Sequence, residues 1–199
     1  MPRAAAARER RDQILTAACE VIADRGLAAL RLADVAACAG VSSGTIHYYF
    51  ETKRDVVTAA FALNFEESLQ RRLDVLDAAG DDPVAALRTL AAGYLPAGGS
   101  STQAWRVWAE LWSEGMRDES LQEINARLYG RWRSLVHELI VAGQHRDVIV
   151  AGDAAAFADV IVALVDGVSI QHLMNSPAMP LEAMHARLNG YIDSICAAS

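Results

Sequence analysis

Residues 32–49 read LADVAACAGVSSGTIHYY, and this stretch decides the fold. Leu32, Val35, Ala36 and Ala39 recur at helical spacing and stop at Gly40, a residue suited to a left-handed turn. Ser42 or Ser43 then caps a second short helix that runs through Ile46 to about Tyr49. Ala36 lets two helices approach closely, Val41 and Ile46 fill the angle between them, and Val35 seals the other side. The pattern predicts a helix-turn-helix; taken alone, it leaves an ordinary αα-hairpin as the alternative. The outward positions of the second helix hold Ser43, Gly44, Thr45, His47 and Tyr48. These are short or flat hydrogen-bonding groups that suit base edges and the thymine methyl in a major groove.

Helical periodicity continues on both sides. Ile14, Ala18, Val21 and Ile22 form one stripe that ends at Gly26, a natural residue after a helix C-terminus. Thr52, with Asp55 three residues on, opens a capping-box-like start to a fourth helix through Val56, Val57, Ala60, Phe61 and Phe65 to about Leu76. The segments 80–83 and 96–101 read as loops around a helix over 84–95. Trp105, Trp108, Leu111 and Trp112 mark the next helix, and 121–143 a long one. Asp153 caps an apolar helix to about Met174, broken by Asn175, Ser176 and Pro177. The last helix carries Leu181, Met184, Leu188, Tyr191, Ile192 and Ile195, close to an a/d repeat. No stretch alternates over strand length and no repeat is evident, so the expected fold class is all-α with about nine helices. Residues 1–54 are expected to form the DNA-binding domain, and 55–199 a ligand-binding and dimerisation domain.

From Ile14 to Phe65, and most plainly over AGVSSGTIHYYFETK at 39–53, the chain resembles the DNA-binding domain of TetR-family transcriptional regulators. The resemblance implies a homodimeric repressor that binds a pseudo-palindromic operator and is released by a small-molecule effector. It places Ser43, Thr45, His47 and Tyr48 where the family reads bases, and Tyr49 and Lys53 where it contacts phosphate. The chain departs from the family at His47, where Tyr is usual, and at Leu30-Arg31-Leu32, where Ser or Thr is usual near the start of the second helix. Arg31 is then the expected phosphate ligand. With the capping residues, the expected DNA-binding set is Arg31, Ser42, Ser43, Gly44, Thr45, His47, Tyr48, Tyr49, Thr52 and Lys53.

Charge is distributed to match. Residues 1–54 hold eight basic and six acidic side chains, a net +2; the other 10 basic and 19 acidic groups give −9, for −7 over 199 residues. A small segment is able to face phosphates and a larger acidic one is not. Arg3, Arg8, Arg10 and Arg11 read either as an arm adding phosphate or minor-groove contacts or as a solubilising tail. Cys19, Cys38 and Cys196 are odd in number and far apart, which fits small buried residues in a reducing cytoplasm better than disulfides or a metal site. Asp159 and Asp166 bracket the best apolar run, so no membrane partner is expected, and 4–11 does not resemble a signal peptide.

The C-terminal half carries the aromatic content. Trp105, Trp108 and Trp112 share a helical face, and Phe65, Leu69, Tyr94, Tyr129, Trp132, Gln171 and His172 are candidates to join them around a small-molecule effector. Plain core is the alternative for each. If Glu110, Glu114 and Asp166 joined them, an aromatic and acidic cage would suit a cation; an apolar or aromatic metabolite fits the tryptophans equally well. The segments 105–112, 126–133 and 163–167 resemble the choline-sensing regulators of betaine synthesis. The apolar positions Phe157, Val160, Ile161, Leu164, Val165 and Val168, together with the last helix, suggest a four-helix interface between two subunits. No cofactor, metal or catalysis is expected: His137-Glu138 lacks the second histidine of a zinc-protease helix at Val141, and no P-loop, G-x-G-x-x-G or G-x-S-x-G occurs. A helical small-molecule carrier or enzyme without DNA binding is the alternative function.

Overall fold

A computed structural model describes residues 2–76 and 80–197, apart from the side chains of Pro2, Arg3 and Val75. The part of the N-terminal expectation that concerns Arg3 therefore lies outside the described residues. Among the described residues the elements are α1 (Pro2–Arg25), α2 (Leu32–Cys38), α3 (Ser43–Tyr49), α4 (Lys53–Leu76), α5 (Pro83–Ala92), α6 (Gly99–Gly115), α7 (Glu119–His145), α8 (Ala154–Leu173) and α9 (Leu181–Ile195). The chain is all-α, as expected, and forms two compact units, 1–67 with 103–128 and 68–102 with 129–199.

In the first unit, Ile14, Ala18 and Ile22 of α1 are fully buried, as are Val35, Ile46, Val56 and Ala60 from α2, α3 and α4. These are positions that the sequence pattern of all four helices marks as apolar, so one stripe per helix builds the core. Gly26 ends α1 at φ +81, the left-handed region, with its amide donating to Ile22 O at 2.9 Å. Helix α1 begins well before the first apolar stripe, because Ala4 to Ala7 are strong helix formers behind a proline at the first position. Arg8, Arg10 and Arg11 therefore stand on a helix, where Arg8 pairs with Asp12 at 3.8 Å and Arg11 lies 5.1 Å from the Phe50 ring centre. Cys19 is buried, its thiol pushed up to about 12 chiefly by that burial. Cys38 and Cys196 correct the expectation of buried thiols: Cys196 is half-buried, and Cys38 closes α2 on the exposed side and donates to Glu20 Oε2 at 3.1 Å, which raises its pKa.

In the second unit, Asp82 caps α5 by accepting from the amides of Val84 and Ala85 at 2.9 and 3.2 Å. Asp153 does the same for α8 at Ala155 and Ala156, 3.0 and 3.2 Å. Helix α6 starts at Gly99, earlier than a loop over 96–101 allows, because Thr102 Oγ1 accepts from Gly98 N at 3.1 Å and Ser101 Oγ donates to Gly98 O at 2.8 Å. Helix α8 packs along α9, burying Ile161, Val165, Met184, Leu188 and Ile192. Behind α9 the chain pairs with the α7–α8 turn in one antiparallel bridge, Ile149 to Cys196, with Val150 N on Ile195 O at 2.9 Å and Ala197 N on Val148 O at 3.0 Å. Helix α8 has the length and apolarity to cross a membrane, yet its Asp159 pairs with Arg133 and its Asp166 with Tyr129, and one side of it packs along α9.

Candidate nucleic-acid interface and ligand site

The reading head is set by a few local contacts. Gly40 takes φ +64 between α2 and α3, and the next amide, Val41 N, returns to Ala36 O at 2.9 Å. Ser42 caps α3, its Oγ accepting from Thr45 N at 3.1 Å and sharing a 2.9 Å hydrogen bond with Thr45 Oγ1. Val35 and Ile46 are fully buried beneath, which fixes the roll of α3 and leaves its other face outward. On that face Ser43, Gly44, His47 and Tyr48 are exposed, while Thr45 and Tyr49 are half-buried. Tyr48 is 82 % exposed and meets the Tyr49 ring edge to face, with centres 5.0 Å apart.

The flanks agree with the expected set. Arg31 is exposed at the N-cap of α2 and makes no side-chain cap there. Thr52 and Asp55 form the capping box: Asp55 Oδ2 accepts from Thr52 N at 2.9 Å and Thr52 Oγ1 accepts from Asp55 N at 3.1 Å. Lys53 stands exposed in the first turn of α4.

Glu110 of α6, which sequence reading offered only to an acidic cage, and Asp118, just before α7, hold this head. Glu110 Oε2 accepts from the Leu27 amide at 2.7 Å, and Arg54 donates to Asp118 at 2.7 Å. The hydroxyl of Ser120 holds the Asp118 carboxyl below its usual range, with Arg54 adding to the effect. These partners lie 83 and 64 residues apart, so no local signal announces them. Glu110 is committed to that amide, and Glu114 lines a surface depression with Leu27, Lys53, Arg54 and Asp118.

The expected ligand set sorts into two groups. In the first unit Phe65 meets Trp108 edge to face at 6.3 Å, Trp105 meets Trp112 at 5.7 Å, and Trp112 Nε1 donates to Asn125 Oδ1 at 3.1 Å. A cavity of about 270 Å³ opens beside Trp112, lined also by Leu111, Gly115, Met116, Gln122 and Asn125. In the second unit Leu69, Tyr94 and Trp132 are buried, Tyr94 stacks on Trp132 at 4.0 Å, and Tyr129 OH donates to Asp166 Oδ2 at 2.5 Å. Gln171 does not join them: it is exposed on the outer side of α8. His172 is turned to the α8–α9 connection, with Nδ1 2.9 Å from Met179 O. Helical spacing placed both on α8 without fixing which side of that helix faces inward.

Sequence reading passed over Arg72. Its guanidinium carbon lies 3.4 Å from the Tyr94 ring centre, and Nε donates to Gly93 O at 3.2 Å. Burial lowers its pKa to about 10 and raises that of Tyr94 to about 12. Burial likewise lifts Asp166 to about 6 and raises Tyr129. Among the described residues Arg72 Nη1, Trp132 Nε1 and Ser169 Oγ are buried without a hydrogen-bond partner. No group of three metal-ligating side chains occurs among the described residues.

A helix-turn-helix with a polar outward face, in a chain otherwise built of long helices, defines a DNA-binding transcriptional regulator. Residues 14–60 match the family described as bacterial regulatory proteins, tetR family, and 83–197 match the BetI-type transcriptional repressor, C-terminal. The chain belongs to the TetR family of bacterial transcriptional regulators, with a BetI-type C-terminal region. It is 27% identical to the HTH-type transcriptional regulator BetI of Ectopseudomonas mendocina, over 97% of this chain and 96% of the relative. It is also 27% identical to the regulator of that name from Rhizobium meliloti, over 98% and 93%. A solved transcriptional regulator of Saccharomonospora viridis in complex with choline has a TM-score of 0.88 at 30% identity, over 96% of this chain and all of that one. A TetR-family regulator from Rhodococcus sp. gives 0.87 at 29%, over the same shares. The family regulates transcription and is not one of enzymes.

Proposed function

We propose that this regulator is a cytoplasmic homodimeric repressor that binds a pseudo-palindromic operator and leaves it when a small molecule enters the C-terminal domain. The observation that carries the reading is α3: Ile46 and Val35 pin one side, and Ser43, Thr45, His47 and Tyr48 line the other. Each good base contact contributes roughly 1–3 kcal/mol of discrimination, too little on so short a helix for one head to select a genomic site. Two heads on a two-fold axis would read half-sites about one helical turn, roughly 34 Å, apart. Arg31, Tyr49 and Lys53 supply the phosphate contacts, and the functional division falls near residue 54.

The dimer rests on α8 and α9. Val160 is 45 % exposed, and Ala163, Gly167 and Gln171 continue its stripe outward along α8. On α9, Ala186 and Gly190 are exposed too, and a Cβ at Gly167 or Gly190 would meet nothing. Small and apolar residues on two antiparallel helices suit close packing against a second copy. Gln171 is assigned to that face, not to the effector. The choline of the Saccharomonospora relative supports a small-molecule effector for this chain also; its proposed site is the surroundings of Tyr94, Tyr129 and Trp132 in the second unit. Effector entry shifts α4, which runs without a break from Lys53 to Leu76, and so changes the separation of the two heads.

Fluorescence anisotropy with the DNA upstream of the protein's own gene, at stated near-physiological salt, tests this. Specific binding with a steep salt dependence supports the repressor. Its absence leaves a helical small-molecule carrier.

A further inference from the structure

We infer that Arg72 anchors the carboxylate of the effector, whose cationic end faces the Tyr129–Asp166 pair, so that the ligand class is a small zwitterion and not a simple organic cation. The inference rests on the proposed effector site in the second unit. Its first support is a charge without a counter-ion. Arg72 is 7 % exposed, and among the described residues its guanidinium has one hydrogen bond, to the Gly93 carbonyl, and one ring contact, with the face of Tyr94. No Asp or Glu pairs with it among them, and Nη1 is left over. With its pKa near 10 the side chain remains a cation at neutral pH. Tyr94, held near 12, stays neutral and is no counter-ion. Buried charges in folded proteins are paired, so a missing anion is the simplest completion of this one. A carboxylate matches the guanidinium fork in geometry as well as in charge.

The second support is that the aromatic face is already taken. Arg72 lies 3.4 Å from the centre of Tyr94 and Trp132 at 4.0 Å, distances that put the two on opposite faces of the ring. An organic cation seeking Tyr94 would meet the chain's own guanidinium on one side and an indole on the other. The third support is a matching charge of the other sign. Asp166 is held by the Tyr129 hydroxyl, and no cationic side chain pairs with it among the described residues. Both charges act on the Tyr94 hydroxyl, Arg72 lowering its pKa and Asp166 raising it, yet they form no ion pair with each other. One buried cation and one half-buried anion, unpaired with each other yet both acting on the same tyrosine, are complementary to a molecule carrying both charges.

Calorimetric titration of the full-length protein, without DNA, tests the assignment. The probes are choline and two carboxylates with the same trimethylammonium head, trimethylammonioacetate and gamma-trimethylammoniobutyrate. The expected result is at least tenfold tighter binding of one zwitterion than of choline, with that advantage lost in Arg72→Gln and partly kept in Arg72→Lys. Equal or tighter binding of choline, no binding of either zwitterion, or an advantage that survives in Arg72→Gln overturns it. Should Arg72→Gln fail to fold, the comparison of the three probes on the unaltered protein still decides. Operator binding, measured separately, distinguishes the two failures: a protein that binds operator and prefers choline refutes the anion anchor alone, and one that binds zwitterion but no operator refutes the repressor alone.

Discussion

Tyr48 projects from α3 with four-fifths of its surface in solvent, which frees its chemistry from any duty to the core. Tyr48→Ala is therefore expected to leave the melting temperature unchanged, and both Tyr48→Ala and Thr45→Ala to reduce preference for operator over random DNA, by about 1–3 kcal/mol per half-site. Anisotropy with the two DNAs checks this, and an unchanged operator footprint would refute the assignment. Lys53→Ala is expected to act differently, weakening binding to every sequence alike and flattening the plot of log affinity against log salt by roughly two units per dimer. Asp166 gives a test by pH. Its folded pKa near 6 exceeds the roughly 3.9 of an unfolded Asp, so between those values the native state holds the extra proton, and stability falls as pH rises through that window. Asp166→Asn is expected to melt higher than the parent above pH 6 and to match it below about pH 4, read from thermal denaturation across pH. Residues under local rules were legible: Gly40 for its turn, Ser42 for its cap, Val35 and Ile46 for their spacing. Arg72 was not, because arginine is rarely buried and nothing near it in sequence shows that Tyr94 covers it.

Elements meet through contacts that single helices do not reveal. Glu110 reaches from α6 to the Leu27 amide at the end of α1, and a Cβ on Gly26 would come within 3.2 Å of Glu110 Oε2. Glu110→Ala leaves that part-buried N–H without an acceptor and is expected to cost about 1–3 kcal/mol in urea denaturation. Gly26→Ala is expected to cost a similar amount through its positive φ and that contact; combined with Glu110→Ala, the total should fall short of the sum, because both act on one contact. Helix limits were legible wherever a cap marked them, as at Ser42, Thr52, Asp82 and Asp153. The start of α1 was hidden by a run of arginines that reads equally as a tail, and that of α6 by glycines and serines that spell a loop. The grouping of the aromatics was legible only in part. Periodicity aligned Trp105, Trp108 and Trp112, but the stacking of Tyr94, in the turn after α5, on Trp132 of α7 depends on packing between segments distant in sequence.

At the scale of the whole molecule, the outer side of α8 and α9 is the surface on which the proposed dimer is tested. If a second copy does, Val160→Arg is expected to give monomers in sedimentation equilibrium with unchanged helical circular dichroism. Operator affinity should then fall toward the roughly 10⁻⁴–10⁻⁶ M of non-specific binding, since a lone head has lost its partner. That this region was dense enough to serve an interface was legible in the unbroken apolar run of α8; the side left outward was not, since apolar residues on more than one stripe do not say which of them packs on α9. The bridge between Ile149 and Cys196 adds a constraint on how two chains associate. It fastens α9 at its far end, while His172 and the Met179 carbonyl fasten the near one. Trading α9 between protomers would require both clasps to open, so this architecture resists exchange of that helix. A dimer formed on this face should come apart on dilution as intact folded subunits, without the slow, unfolding-limited release of an interlocked pair.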